Sequence, residues 1–292
     1  MALRIQSAPA VSPNLRVRTL RDENVADLRL GWHARLQPDE IRRLLSMHRG
    51  RSVWSPETLE YAIVGPWRHR PEIGHLVDVS AVRNPEAVID HVIVRCHDAG
   101  DAMVLAIELD EVRRPVFFDR IGFDLLEEVA TYEWSGRATA ALPPTAIRFD
   151  PVDPTNDADR ALLLDLDHAA FPWLWRNSDL EFRAYGVTPG VEVFLCRLQG
   201  RPVGYVGLTC FPGWGHLDRI AIHPGYQGGG IGQAALGFAV ERLLRRGARR
   251  VGLSTQDRNI RSKRLYERFG FRRVPANDYR IYGRLLRDLD GR

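Results

Sequence analysis

The sequence is poor in cysteine, in lysine and in long apolar runs, and each shortage excludes something. Cys96, Cys196 and Cys210 are the only 3 cysteines among 292 residues; they stand far apart and form no Cys-x-x-Cys pair. Neither a disulfide framework nor a thiolate zinc site is built that way, so buried reduced thiols and no metal are expected. No apolar run approaches the roughly 18 residues that a membrane span needs, and no membrane partner is expected. Met1 to Pro13 holds a single Arg and no apolar stretch ahead of a cleavage site, so no secretory leader is expected and the location reads as cytoplasmic. Of the 41 basic residues only Lys263 is a lysine, and the arginines are interspersed with 37 acidic residues rather than gathered into a block. A formal charge of +4 spread in this way does not imply nucleic acid.

What is present is ordinary for a folded globular protein: 45% hydrophobic and 27% charged residues. The length suits two domains, each with its own core. A segment rich in proline and small residues, 136–145 (GRATAALPPT), reads as the linker between them. Beyond it, 146–149 is a strand candidate, and 156–170 carries helical apolar spacing behind a Pro-Thr-Asn-Asp start. Residues 191–198 and 203–210 are β-branched or apolar runs around Gln199-Gly200-Arg201-Pro202, which predicts a hairpin, and 216–222 is a third strand. Ile231, Ala235, Leu236, Ala239, Leu243 and Leu244 share one helix face that Gly247 ends. A buried strand at 250–254, a helix at 259–268 closed by Gly270, and a final β-region at 271–286 complete the order β, α, β, β, β, α, β, α, β.

Between the third strand and the long helix stands His223-Pro224-Gly225-Tyr226-Gln227-Gly228-Gly229-Gly230-Ile231-Gly232. A strand passing through a glycine loop into a helix gathers free backbone N–H groups and the positive end of the helix dipole around one point. That arrangement suits a phosphate or pyrophosphate, although a merely tight strand-to-helix connection has the same composition. A dinucleotide fingerprint needs an acidic residue some 20 positions later, where Arg249, Arg250 and Val251 stand instead, and the Gly-Lys-Ser/Thr of a triphosphate loop is absent. A second cluster follows at Asn259, Ser262, Leu265, Tyr266, Glu267 and Phe269-Gly270-Phe271.

Gln227-x-x-Gly230-x-Gly232 resembles the CoA pyrophosphate loop of the GNAT superfamily, and Asn259 to Phe271 resembles that superfamily's Asn-x-x-Ala-x-x-Leu-Tyr-x-x-x-Gly-Phe segment, with Ser262 for alanine. The resemblance covers about 145–285. It implies an α/β (α+β) fold of two GNAT-like domains, each a mixed, mostly antiparallel sheet flanked by helices. It also implies an acetyl-CoA (or other acyl-CoA) co-substrate and transfer of the acyl group to a primary amine of a small molecule or peptide, by a monomer or homodimer. A non-catalytic acyl-CoA sensor is the alternative, against which the presence of Tyr266 speaks. On this resemblance the pantetheine arm pairs with backbone of Ile220, Ala221 and Ile222. Gln227, Gly228, Gly229, Gly230, Ile231, Gly232 and Gln233 hold the pyrophosphate, Asn259 and Ser262 flank the arm, and Tyr266 protonates the departing thiolate. His216 and Asp218 alternate on one strand and so share a face; either, or neither, takes the amine proton. Phe171, Trp173 and Trp175, with Trp214, wall the acceptor pocket or simply fill the core.

An offset of 148 residues lays Gly122-Phe123 on Gly270-Phe271 and 117–121 on 265–269, so that 16–135 reads as a degenerate second copy behind a tail of 1–15. Phe118 then replaces Tyr266 and Glu111 replaces Asn259. The stretch from Pro85 to Gly122 is shorter than that from Pro224 to Gly270, and the loss removes the glycine loop. This half is expected to hold no CoA and to wall the acceptor pocket or dimerise.

Overall fold

The computed structural model describes residues 15–30, 36–108, 115–136 and 146–288; Glu111 and nearly all of the expected tail and linker lie outside them. The chain forms two compact units, one made of Met1–Glu127 with Tyr279–Arg292 and the other of Glu128–Asp278. The division is therefore not at 136–145 as composition suggested. Strand pairing explains it, because each half of the sequence gives its last strand to the other unit.

In the first unit the elements run β1 (Arg18–Thr19), α1 (Pro38–Met47), β2 (Val53–Trp54), β3 (Tyr61–Trp67), β4 (Arg70–Ser80), α2 (Pro85–Asp98), β5 (Met103–Glu108), α3 (Pro115–Arg120) and the start of β6 (Asp124–Trp134). β1 to β4 pair antiparallel in sequence order, and β4 then pairs parallel with β5 across α2. The apolar face of α2, Val88, Ile89, Val92 and Ile93, closes over Val64, Val104 and Phe118. Each such side chain contributes about 1.5–3 kcal/mol on burial.

The second unit continues from β6 through β7 (Ile147–Val152), α4 (Asp157–Ala170), α5 (Asp179–Gly186), β8 (Val191–Leu198), β9 (Arg201–Phe211), β10 (Trp214–Ile222), α6 (Ile231–Arg245), β11 (Arg250–Gln256), α7 (Ile260–Phe269) and β12 (Arg272–Arg273). β7, β8, β9 and β10 form an antiparallel meander, β10 meets β11 in parallel, and β6 pairs antiparallel with β11 over Val129 to Trp134. The last strand, β13 (Tyr279–Leu285), pairs antiparallel with β5 in the first unit. In both units the strand pairing is thus mixed and mostly antiparallel, with helices packed against it, which is the expected class.

Local chemistry sets most boundaries. Asn156 caps α4 by accepting from the N–H groups of Ala158 and Asp159. The β8–β9 turn is tighter than expected: Gln199 and Gly200 alone form it, at φ 50° and 82°, the pair of positive φ values that a two-residue hairpin requires. Arg201 and Pro202 join the strand. Ser178, whose side chain accepts from Glu181 N–H, starts α5 where no helix was expected; Ser-x-x-Glu was the signal for it. Alternating residues send Phe194, Val206 and Leu208 toward α6, and Val193, Leu195 and Tyr205 toward α4 and α5. No helix among the described residues is long and apolar enough to cross a membrane.

Candidate active site

β10 and β11 run side by side from Trp214 and Arg250 to Leu217 and Leu253, and there their pairing stops although both strands continue. The break coincides with a bulge: against β9, Leu217 faces Leu208 and Arg219 faces Gly207, so Asp218 is the extra residue. A bulge bends and twists its strand, and beyond this one a cleft of about 1030 Å³ opens. Ile220 and Ile222 line it from β10, Gln227, Gly228, Gly230, Gly232 and Gln233 from the glycine loop and α6, Asn259, Ser262 and Tyr266 from α7, and Phe171 from the segment after α4. Phe171, Tyr266 and most of the residues expected to hold CoA therefore meet in one place, whereas His216, Asp218, Trp173, Trp175 and Trp214 are not among its lining.

The glycine loop is shaped for an anion. Gly228 and Gly230 adopt φ of +97° and +80°, a region side chains rarely enter. Gly230 is the N-cap of α6 and offers that helix no side-chain cap, and a helix start of that kind suits an incoming anion. Gln227 is engaged in holding the loop: its Nε2 donates to the Ile222 carbonyl at 2.9 Å and its Oε1 accepts from Arg261 at 2.8 Å. Arg258, Arg261, Arg264 and Arg268 line the same cleft. The arginines look scattered along the sequence, yet positions 261, 264 and 268 follow the spacing of one helix face.

Tyr266 is 9% exposed, and burial pushes its phenol up to about 12, with a hydrogen bond to Ser262 opposing part of that rise. It is protonated, and hence a donor, throughout the neutral range. Asn259 accepts from Ser262 N–H at 3.1 Å as the cap of α7, which leaves its amide NH₂ as the group able to donate to a ligand. Gly229 is exposed with open space around it, whereas Ile231 is 5% exposed in the core and Ala221 is fully buried on the opposite face. If these last two serve a ligand, they do so through backbone.

The expected aromatic wall is divided. Phe171 lines the cleft, and the Arg219 guanidinium sits 3.9 Å from its ring centroid. Trp173 and Trp175 lie in a short 3₁₀ turn, with Trp175 buried and its carbonyl accepting from Arg219. Trp214 stacks on Phe211 and lies 5.6 Å from the ring of His216, outside the lining of the cleft. His216 Nδ1 approaches Asp218 Oδ1 at 2.6 Å. Tyr185 and Thr209, to which no motif in the sequence points, both donate to Asp218; α5, which carries Tyr185, was not expected from the sequence either.

Asp167, wholly buried on α4, accepts from Tyr205 Oη at 2.6 Å, from Arg219 Nε at 2.8 Å and from Asn177 N–H at 2.8 Å. It ties the 171–177 segment to β9 and β10. Asp167→Ala strands a guanidinium that is 10% exposed, and we expect a loss of about 3–5 kcal/mol of unfolding free energy in urea titration. A loss below about 1 kcal/mol would mean that water replaces the carboxylate.

The first unit repeats this plan without the loop. The connection from Ser80 at the end of β4 to Pro85 at the start of α2 is short and contains no glycine. Phe118, at the position matched to Tyr266, is 1% exposed and stacks on Tyr282 at 4.0 Å. Among the described residues, no group of three His, Cys, Asp or Glu side chains could hold a metal ion.

Comparison with known proteins bears on residues 160–271, which match the acetyltransferase (GNAT) family. An uncharacterized N-acetyltransferase of Methanocaldococcus jannaschii is 29% identical over 110 residues, 35% of this chain; the chain spans 43% of that relative's length. A solved GCN5-related N-acetyltransferase from Kribbella flavida is similar over 94% of this chain and 71% of its own, with a TM-score of 0.67 at 14% identity. One from Sphaerobacter thermophilus gives 0.60 at 16% identity, over 96% and 98%. A tandem GNAT protein from the clavulanic acid biosynthesis pathway gives 0.58 at 13% identity, over 95% and 100%. At such identities the structural likeness is one of fold.

Proposed function

We propose, for a chain that belongs to the GNAT superfamily through residues 160–271, that it is an N-acyltransferase moving the acyl group of acetyl-CoA, or another acyl-CoA, directly to a primary amine of a small molecule or peptide. One observation carries this reading: an uncapped glycine-rich helix start, the parted strands β10 and β11 and a buried protonated tyrosine all border one cleft. The glycine loop and the cleft arginines suit the pyrophosphate. The unpaired edge of β10 at Ile220 and Ile222 suits the pantetheine arm as an added strand, and a backbone N–H there suits the oxyanion.

The chemistry asks three things of the chain. His216 takes a proton from the attacking amine, so that nitrogen can form its bond to the acyl carbon. Backbone N–H groups stabilise charge on the acyl oxygen. As the carbon–sulfur bond breaks, Tyr266 gives its proton to the thiolate and is re-protonated from solvent. Phe171, beside the cleft, suits an acceptor with an apolar body.

Titration calorimetry with acetyl-CoA should give one site per chain, and saturating acetyl-CoA should raise Tm. At a hundred times Kd the stabilisation is about 2.7 kcal/mol. Two equivalent sites would overturn the reading of the first unit as inert toward CoA, and neither heat nor a Tm shift would overturn the CoA reading as a whole.

A further inference from the structure

Three donors converge on one carboxylate at the bulge of β10. Tyr185 of α5 and Thr209 of β9 donate to Asp218 Oδ2, Thr209 at 2.6 Å, while His216 Nδ1 lies 2.6 Å from Oδ1. An ionised carboxylate only accepts, so this contact places the imidazole proton on Nδ1 and leaves the lone pair on Nε2. With both oxygens engaged, Asp218 is poorly placed to take a proton from an amine itself. The arrangement is built in: a Cβ at Gly207 would stand 2.8 Å from the Tyr185 hydroxyl, so glycine there makes room for it. Burial and the Asp218 charge push the Tyr185 phenol well above its ordinary range, which keeps it a donor.

The first unit supplies an internal comparison. Its β4 carries Gly74-His75-Leu76 where β10 carries Gly215-His216-Leu217. The same bulge follows, since Leu76 faces Val64 and Asp78 faces Ile63, which makes Val77 the extra residue. The copy that lacks the glycine loop and the tyrosine thus keeps the histidine and the bulge but has valine in place of the carboxylate. His75 packs edge-on to Trp67, at 5.4 Å.

We propose that Asp218, held by Tyr185 and Thr209, is a positioning residue that fixes the His216 imidazole with Nδ1 protonated and Nε2 presented to the amine. This rests on His216 being the base. During acyl transfer the amine proton passes to Nε2, the imidazolium keeps its Nδ1–H on Asp218, and the proton leaves to solvent after the amide has formed. Among the described residues, the ring of His216 is faced by Asp218 and Trp214 from its own strand, by Thr209 opposite it on β9, and by Gly252 of β11, which has no side chain. Tyr185 reaches it through Asp218, and the next ionisable groups on that face are Tyr205 and the paired Asp167 and Arg219.

The test joins ¹⁵N NMR of histidine-labelled protein with kinetics on acetyl-CoA and whichever member of a primary-amine panel turns over fastest. In the wild type, neutral His216 should show the Nδ1–H tautomer, and Asp218→Asn should move the proton to Nε2. That variant should lose kcat by up to about 10⁴-fold, the cost of setting the base in the wrong tautomer, with calorimetric affinity for acetyl-CoA unchanged. Tyr185→Phe, which spares the fold if Asp218→Asn does not, removes one donor from the carboxylate. It should keep the Nδ1–H tautomer and lose less kcat than Asp218→Asn, because the carboxylate stays but is held by one donor fewer. An Nε2–H tautomer in the wild type, or an Asp218→Asn variant with wild-type tautomer and kcat, would sink the proposal. His216→Ala separates the two readings. Full kcat there removes the base itself, whereas a slow His216→Ala beside a wild-type-like Asp218→Asn removes only the positioning role.

Discussion

Tyr266→Phe is expected to lower kcat about 10²- to 10⁴-fold while leaving KM for acetyl-CoA nearly unchanged, the range of a lost general acid acting when the thiolate departs. The ring keeps its neighbours: Tyr132 and Phe271 each lie 6.1 Å from it, centroid to centroid. What is lost besides the acid is one hydrogen bond with Ser262, so unfolding free energy should fall by no more than about 1 kcal/mol. Because burial pushes the phenol up to about 12, it is in its donating form below that pH. The wild-type kcat should therefore show no decline from Tyr266 ionisation at neutral or mildly alkaline pH. Single-turnover rapid quench, which reports chemistry rather than product release, is the measurement. Undiminished turnover of the variant between about pH 6 and 9 would assign the proton to water or another hydroxyl.

Gly230→Asp should abolish most acetyl-CoA binding without unfolding the chain. Aspartate is a favoured N-cap, so α6 gains an oxygen that accepts from its own first turn, in the place left for a phosphate. The positive φ of +80° costs a non-glycine residue about 1–2 kcal/mol, and the new charge repels the pyrophosphate. We expect Kd to rise about 10²- to 10³-fold, several kcal/mol. Gly230→Ala carries the backbone strain without the charge and should weaken binding much less. Calorimetry on both variants separates the effects; if Gly230→Asp binds acetyl-CoA like the wild type, the loop is not the pyrophosphate site.

Most elements of the second unit, α5 excepted, were legible because their signals are local. Asn156 caps α4, Gln199-Gly200 turns the hairpin, Gly230 opens α6, and Gly270, at φ 107°, closes α7. Each acts through neighbours a few residues away, so each is readable without the fold. The pseudo-repeat was legible from Gly122-Phe123 against Gly270-Phe271, and the stronger match of Gly74-His75-Leu76 with Gly215-His216-Leu217 was there to be found. Tyr185 and Thr209 were not legible as partners of Asp218, since a lone tyrosine on a short helix and a threonine on a strand carry no spacing signal toward a third residue.

The sequence by itself determined where turns, caps and glycine-bearing helix starts fall, because sterics and backbone hydrogen bonding act within a few residues. It also determined which faces are apolar, because side chains repeat every second residue in a strand and every 3.6 in a helix. Tertiary structure alone decided which strands lie side by side: β6 pairs with β11 and β13 with β5, a choice of partner that an apolar alternation leaves open. It alone decided that the bulge at Asp218 parts β10 from β11 and leaves that carboxylate beneath Tyr185. Register and bulge are settled by the packing of both sheet faces at once, and that energy belongs to contacts between residues far apart in the chain.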